Sequence, residues 1–240
     1  VSALAEDEEA RFYRKNVTST YARDNASVSA AAVQNTDTED EELEAEGRME
    51  VPEKKLIFDK DKGVIKGIDE DWLAQNKDKQ LSVTIPEKID GIAVTSIGQN
   101  AFKARNAGLE NHPQVATVDF SKAINLEKID NQAFQYSPVA SVDLSETKVT
   151  TIGKFAFSQC TALREVILPS NLTELASSVF TDCKHVESIR LKSSPEGVVF
   201  ELPEGLTTIG YQCFKNCFAD GVDAKVIIPA SVATLGEGAF

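Results

Sequence analysis

The chain has 240 residues, 42% of them hydrophobic, and a formal net charge of −13 at pH 7. An acidic surface repels phosphate backbones, so we expect no nucleic-acid partner. No apolar run reaches the roughly 18 residues of a membrane span, and no basic amphipathic segment is present, so we expect no direct membrane insertion.

The amino-terminal part of the chain is acidic and lacks a sustained hydrophobic period. Residues 36–50 are dominated by Asp and Glu. Such a stretch cannot bury enough apolar surface to offset the entropy lost on ordering. We therefore predict an acidic, largely disordered linker or pro-segment over residues 1–50. The sequence Ala3-Leu4-Ala5, followed by four acids, is typical of the end of a secretory signal and favours export.

Residues 51–93 are predicted to form an N-terminal hairpin and cap. Two β-forming runs, Leu56–Phe58 and Val64–Ile65, flank the turn-forming stretch Asp59–Gly63. This turn does not match a calcium-binding EF-hand loop, because no bidentate Glu follows at the required place. We expect the hairpin to cover the first coil of the repeat that follows, since the exposed end of a parallel sheet has unpaired backbone.

A repeat organises residues 94–240. Six aliphatic residues are each followed, five positions later, by Phe, and the recurrence is near 23 residues with insertions. The pairs are Ile97/Phe102, Ile129/Phe134, Ile152/Phe157, Leu175/Phe180, Ile209/Phe214 and Leu235/Phe240. Strand-like runs such as Val142–Leu144 and Val226–Ile228 open each coil. This pattern predicts a solenoid of about six coils, open or truncated at the C-terminus.

Each coil has a predicted bend and turn after its aliphatic residue. Four of the six positions that follow the aliphatic residue are Gly and one is Asp, which indicates a bend that often needs positive φ, whereas Ala176 argues against an absolute requirement. A helical turn is expected next, with the Phe ring inside the coil and a small residue before it that lets neighbouring coils approach. The longest coil, between Phe180 and Phe214, has two strand candidates at 186–191 and 198–202. The turn residues between them predict a protruding, hairpin-like excursion, with a simple surface insertion as the alternative.

The clearest copy of the repeat runs Thr150-Thr151-Ile152-Gly153-Lys154-Phe155-Ala156-Phe157-Ser158-Gln159-Cys160 and on to Pro169. This pattern strongly resembles the BspA-like leucine-rich repeat, over residues 81–240. The resemblance implies a repeat solenoid, mainly β with short helical turns: a right-handed leucine-rich-repeat horseshoe with a parallel strand ladder and an N-terminal β-hairpin cap. It also implies extracellular or cell-surface proteins of bacteria and some protozoa that bind host proteins, matrix or other cells.

The sequence predicts no enzyme. Cys160, Cys183 and Cys217 share one repeat position, and we favour buried thiols over a disulfide or metal site because free Cys packs as a small apolar residue. Zinc would need paired Cys-x-x-Cys or nearby His, which the sequence lacks. His112 and His185 are far apart, and no nucleophile–base motif or phosphate loop occurs. No catalytic residue, cofactor or metal is therefore expected.

The outward positions of the strand runs form the predicted protein-binding face. They are Thr117, Asp119, Ser141, Asp143, Glu165, Ile167, Ser188, Arg190, Lys225 and Ile227. The charge changes from acidic near Asp119 to basic near Arg190. We expect a protein ligand from a host, the matrix or another cell surface, and adhesion as the role. Alternatives are a targeting or spacer region of a longer surface enzyme, or a structural module that self-associates weakly through its open C-terminal coil.

Overall fold

The computed structural model of the chain describes residues 48–104, 113–222 and 225–240. The predicted linker over 1–50 lies outside these ranges except for its last three residues. The signal-like sequence at Ala3–Ala5 also lies outside them, and so does His112.

The strands of the described ranges are short, and in chain order they are β1 (Arg48–Glu50), β2 (Leu56–Asp59), β3 (Val64–Ile68), β4 (Gln80–Thr84), β5 (Lys88–Ile89), β6 (Ile92–Ala93), β7 (Ser96–Ile97), β8 (Val115–Asp119), β9 (Lys128–Ile129), β10 (Ser141–Asp143), β11 (Thr151–Ile152), β12 (Glu165–Leu168), β13 (Glu174–Leu175), β14 (Ser188–Leu191), β15 (Thr208–Ile209) and β16 (Thr234–Leu235).

Two ladders of parallel strands run through the repeat. The long ladder contains β1, β4 and β8, followed by β10, β12 and β14. Its two parts adjoin where the Ala140 N–H donates to the Ala116 carbonyl at 3.2 Å. The short ladder is an eight-stranded sheet in the order β16, β15, β13, β11, β9, β7, β3, β2. The predicted solenoid with a parallel ladder is therefore confirmed, and no sheet of the described ranges closes on itself.

The predicted amino-terminal hairpin is confirmed. Strands β2 and β3 pair in antiparallel fashion, with Gly63 in the turn at a φ of 66°. Strand β3 then pairs in parallel with β7, so β2 is the outermost strand of the short ladder. The long ladder is extended at the same end by β1, which begins at Arg48, three residues before the boundary expected from the sequence.

One short helix, α1 (Glu70–Gln75), lies between the hairpin and β4, and the sequence pattern does not predict it. Asp69 is its N-cap, and its carboxylate accepts a hydrogen bond from the Trp72 N–H at 2.8 Å. That bond satisfies one of the donors that a helix start leaves unpaired. No helix of the described ranges is long and apolar enough to cross a membrane.

Five of the six repeat phenylalanines form a continuous buried stack in the core, and the exposed Phe240 ring extends it at one end. Neighbouring ring centroids are 5.2–5.7 Å apart, in the order Phe102, Phe134, Phe157, Phe180, Phe214 and Phe240. The first four of these rings are fully buried. Aromatic pairs at such separations are favourable beyond the apolar area that they bury. The spacing that organises the sequence thus becomes one column of rings along the solenoid.

The repeat glycines have a different role from the one that the sequence predicts. Gly98, Gly153, Gly210 and Gly236 all lack positive φ. A Cβ at Gly210 would lie 2.4 Å from the Ala176 carbonyl carbon. One at Gly236 would lie 2.3 Å from the nitrogen of Tyr211. The prediction of positive φ is therefore wrong: Gly is used because neighbouring coils approach too closely for a side chain.

Left-handed backbone occurs two residues later, within the turn that carries the Phe. Two positions of the turn have φ of about 50–64° in successive coils. They are Asn100, Gln132, Phe155, Ser178, Gln212 and Gly238, and then Tyr136, Gln159, Asp182 and Asn216. The predicted turn is present and is not α-helical: left-handed residues interrupt the α-helical pattern, and the internal hydrogen bonds join residues three apart, such as the Ala133 N–H and the Asp130 carbonyl.

The turns of successive coils are hydrogen-bonded in one direction. The N–H groups of Gln132, Phe134 and Tyr136 donate to carbonyls of the next coil, at Lys154, Ala156 and Ser158, over 2.8–3.0 Å. Three equivalent hydrogen bonds join every pair of neighbouring turns between Asn100 and Lys215. These bonds satisfy buried backbone groups that a helix would pair internally, and they hold the left-handed residues in place.

The longest coil does not form a hairpin. Ile189 of β14 makes a parallel bridge with Phe200, and the Glu201 N–H donates to the Ile189 carbonyl at 2.8 Å. The segment 198–202 therefore extends the long ladder in the direction of its other strands, and the hairpin-like prediction is wrong. The Phe200 ring lies 5.5 Å from the Phe214 ring and is buried, which gives a physical reason for this return into the core.

Candidate binding face

Eight of the ten predicted face residues lie on four neighbouring strands of the long ladder. Ser141 of β10 is level with Glu165 of β12 and Ser188 of β14. Two residues further along the same strands, Asp143 is in register with Ile167, and Ile167 is in register with Arg190. Thr117 and Asp119 lie on β8, beside β10. We call these eight residues the strand face, and each of them is exposed or half-buried.

The alternation along each strand explains why these side chains share a face. Val118, Val142, Val166 and Ile189 lie between the face residues in sequence and are buried. Successive side chains of a strand point to opposite sides, so burial of one set turns the other set outward. The outward set on these four strands is the one that the sequence predicts.

Ion pairs cross the strand face and reduce its charge asymmetry. The Arg190 guanidinium contacts the Glu165 carboxylate at 2.6 Å, from β14 to β12. Beside the face, Arg164 pairs with Glu187 at 2.9 Å. Exposed pairs of this kind contribute little to stability, but they neutralise the charges involved. Arg190 is therefore a paired residue rather than the centre of a basic patch.

The acidic residues of the strand face also have local partners. The Asp119 carboxylate accepts a hydrogen bond from the Ser121 N–H at 2.8 Å, and Asp143 accepts one from the Ser145 N–H at 2.9 Å. Bonds from an Asp side chain to the backbone two residues on form Asx-turns. Both carboxylates thus help to end their strands, and this role is independent of any ligand.

Lys225 and Ile227 do not join the strand face. The segment 225–228 is exposed and forms no strand, so the strand predicted at Val226–Ile228 is not present. Ile227 is 63% exposed, and Val226 and Ile228 are each 40% exposed. The segment 198–202, through Phe200, is the one that bridges to β14 beside the face.

The cysteines are buried free thiols, as the sequence analysis favours. The Cys160 Sγ donates to the Phe134 carbonyl at 3.1 Å and the Cys183 Sγ to the Phe157 carbonyl at 3.0 Å. Burial raises the pKa of Cys183 to about 12 and also raises that of Cys160. Thiolate is the reactive and metal-binding form, so these groups are chemically inert in the fold. Within the described ranges no three His, Cys, Asp or Glu side chains form a potential metal cluster.

Sequence reasoning missed a charged pair at the end of the strand face. The Lys192 ammonium contacts the Glu146 carboxylate at 2.6 Å, although the residues are 46 positions apart. That separation is close to two coils of the repeat, so the pair spans the coil between them. The sequence does carry a signal for this pair: an acidic and a basic residue occupy equivalent loops that are two coils apart.

The fold and its repeat identify the class of protein. A sequence profile of the BspA type leucine rich repeat region matches residues 74–198 and 196–240, in six copies. The match covers more than half of the chain, and the chain belongs to this family. No curated protein matches the chain.

Solved leucine-rich repeat structures of bacteria are similar to the chain. The T. pallidum leucine rich repeat protein TpLRR is 23% identical, with a TM-score of 0.43, over 80% of this chain and 66% of that protein. A leucine-rich repeat protein from Bacteroides ovatus is 23% identical, with a TM-score of 0.42, over 77% of this chain and 36% of its own. The pneumococcal vaccine antigen PcpA is 16% identical, with a TM-score of 0.29, over 66% of this chain and 59% of its own.

Proposed function

We propose that this chain is a non-catalytic protein-binding module of a secreted or cell-surface protein, and that the strand face binds the ligand in an adhesive contact. The observation that carries the proposal is the alignment of eight outward side chains on four neighbouring strands of one ladder. Repeat solenoids present extended surfaces of this kind, and many of them bind proteins there. Membership of the BspA type family supports the extracellular setting.

The chemistry of the face favours a protein ligand of mixed polarity. Ile167 is an apolar side chain in the middle of the face, in register with Asp143 and Arg190. Ser141, Ser188 and the Glu165–Arg190 pair surround it with hydrogen-bonding groups. An apolar centre with a polar rim is the usual arrangement of a protein interface. The ligand would be a host, matrix or other cell-surface protein.

A binding screen against extracellular-matrix and host-surface proteins tests the proposal. Ile167→Arg places a long cation in the centre of the face, and we expect at least about tenfold weaker binding of any hit in surface plasmon resonance. Glu174→Arg is the matched control, because Glu174 lies in the same coil on the short ladder. Normal binding by Ile167→Arg, or equal loss in both variants, would show that the ligand does not use the strand face.

Self-association is a second candidate function, and a specific observation favours it. Val226, Ile227 and Ile228 are three consecutive apolar residues, and each is 40–63% exposed. Exposed apolar groups of one region favour association when they form a patch. Light scattering at increasing concentration should show a rising mass that Ile227→Lys abolishes, whereas Ile124→Lys, at a similarly exposed apolar residue elsewhere, leaves it unchanged. A constant monomer mass of the wild-type chain would rule this function out.

A further inference from the structure

A cavity of about 320 Å³ lies where three successive coils leave the long ladder. Ser145 follows β10, Leu168 and Ser170 lie at the end of β12, and Leu191 ends β14. Lys192 and Ser193 complete the lining. The lining therefore has an apolar part made of two leucines and a polar part made of three serines and one lysine.

The Glu146–Lys192 ion pair explains why space remains at this place. The pair joins the first and third of the three coils at 2.6 Å and spans the coil that contains Ser170. Pro169 ends the middle strand, because proline cannot donate to a ladder, and the chain turns away there. The third coil instead continues from Leu191 into the inserted loop. Lys192 can therefore extend over the middle coil to Glu146.

One polar group of the cavity has no partner of its own. The Ser145 Oγ is buried and, among the described residues, makes no hydrogen bond. A buried hydroxyl without a partner is unfavourable and unusual in a native fold. Ser145 lines the cavity, and a change of its χ1 rotamer can turn the hydroxyl toward it. A molecule in the cavity can therefore supply the missing partner.

The charges around the cavity argue against an anion. The hydrogen bond to Glu146 raises the pKa of Lys192, and the nearby Asp143 acts in the same direction. Lys192 is thus a cation, but two carboxylates lie close to it. A phosphate or carboxylate ligand would gain little from one ammonium that is already paired and would be repelled by both acids. A neutral ligand with several hydroxyl groups avoids that repulsion.

We propose that this cavity binds a single neutral sugar ring, for example the terminal residue of a glycan. Ring hydroxyls pair with Ser145, Ser170, Ser193 and the Glu146–Lys192 pair, while the less polar side of the ring packs on the half-buried Leu191, next to the buried Leu168. The volume is at the lower end of ligand sites, which suits one ring rather than an oligosaccharide. The proposal does not depend on the strand face, because its residues lie at the ends of the strands.

Chemical-shift titration of the full chain with glucose, galactose, mannose and N-acetylglucosamine tests the proposal. We expect at least one sugar to shift the amide signals of Ser145, Ser170 and Ser193, with a Kd on the order of 1 mM for a ligand of this size. Ser145→Ala should weaken that binding about five- to tenfold, as expected for one hydrogen bond. Inorganic phosphate and acetate serve as anion probes and should cause no shift at these residues.

The matched control is Ser121→Ala. Ser121 and Ser145 both donate their N–H to an Asp two residues earlier, in neighbouring coils, but only Ser145 lines the cavity. Ser121→Ala should therefore bind the sugar like the wild type. Ser170→Phe, which fills the cavity from the middle coil, should abolish the shifts even if Ser145→Ala affects folding. Absence of shifts with every sugar, stronger shifts with an anion, or equal loss in Ser121→Ala would each overturn the proposal.

Discussion

Replacing Gly210 with Ala tests the close approach of neighbouring coils. The added Cβ would lie 2.4 Å from the Ala176 carbonyl carbon and the Ser177 nitrogen, and 2.6 Å from the Ala176 oxygen. All three are backbone atoms, which cannot swing aside as the end of a side chain can. Ordinary contact begins near 3.4 Å, so the two coils must separate by about 1 Å.

The size of the effect follows from what that separation disturbs. Overpacking a close-packed interior destabilises by about 1–3 kcal/mol. The shift also lengthens the hydrogen bond from Gly210 N–H to the Leu175 carbonyl, now 2.8 Å, and the bond from Ser178 N–H to the Tyr211 carbonyl, now 2.9 Å. Each contributes about 1 kcal/mol. We expect Gly210→Ala to lower the free energy of unfolding by about 3 kcal/mol.

Urea unfolding followed by circular dichroism measures this difference, with Gly205→Ala as the control. A Cβ at Gly205 meets no atom within 4 Å, and its φ is not positive. Gly205→Ala should therefore be neutral or stabilise by about 0.4–1 kcal/mol, through lower entropy of the unfolded chain. If Gly210→Ala lies within about 0.5 kcal/mol of the wild type, the coils are soft enough to admit a methyl group and the reasoning fails.

Three further predictions concern the core, the thiols and the helix cap. Phe157→Ala removes a ring between Phe134 and Phe180 and should lower the free energy of unfolding by about 3–5 kcal/mol in urea titration. A loss below about 1 kcal/mol would contradict the stack. Because the pKa of Cys183 is about 12, a thiol reagent at neutral pH should label the chain only as it unfolds. Rapid labelling of the folded chain would be inconsistent with burial. The Trp72 N–H, helped by Lys55, lowers the pKa of Asp69 below 3.8, so its stabilisation is present above pH 3.8 and is lost as pH falls through the folded-state pKa. The melting temperature should therefore fall more on acidification for the wild type than for Asp69→Asn, and identical profiles would refute this.

The features that could be predicted from the sequence are those in which residue type and spacing repeat. The interval from Ile152 to Phe157 recurs in every coil, so it predicts the ring column and the short ladder together. The position three residues after the Phe is Cys in three of the coils, at Cys160, Cys183 and Cys217, and this indicates burial. Repetition works because each coil repeats the environment of its neighbour.

The repeat glycine shows where this reasoning fails. Glycine is used both for positive φ and for close backbone approach, and the sequence does not distinguish the two. Asp130 and Ala176 at the same position were an indication, because Ala rarely adopts positive φ. The left-handed residues of the turns are instead Asn, Gln, Phe, Ser, Tyr and Asp, with Gly238 as the one glycine among them, so glycine does not mark these positions.

Contacts between coils could not be predicted either, because they depend on distances that no single coil encodes. The turn residues at Ser193–Gly197 indicate that the chain reverses into an antiparallel hairpin. The burial of Phe200 instead places the segment 198–202 parallel to β14. The cavity likewise depends on where Lys192 and Glu146 lie two coils apart. On the strand face, the alternation of apolar and polar residues predicts which side chains point outward. It does not predict the ion pairs that reduce the charge of the face.

The one-way hydrogen bonds of the turns give this part of each coil a local electrical polarity. Peptide dipoles that point the same way add together, as they do in an α-helix, whereas dipoles in sheets largely cancel. Here the N–H groups of each turn, such as that of Phe134, point toward the next coil, so the positive end of the sum lies toward higher residue numbers. This is opposite to the sense of an α-helix, whose positive end is its amino terminus. The two ends of the row of turns therefore carry opposite partial charges, whereas elsewhere in the coil N–H groups such as those of Thr150 and Gly153 donate toward the preceding coil.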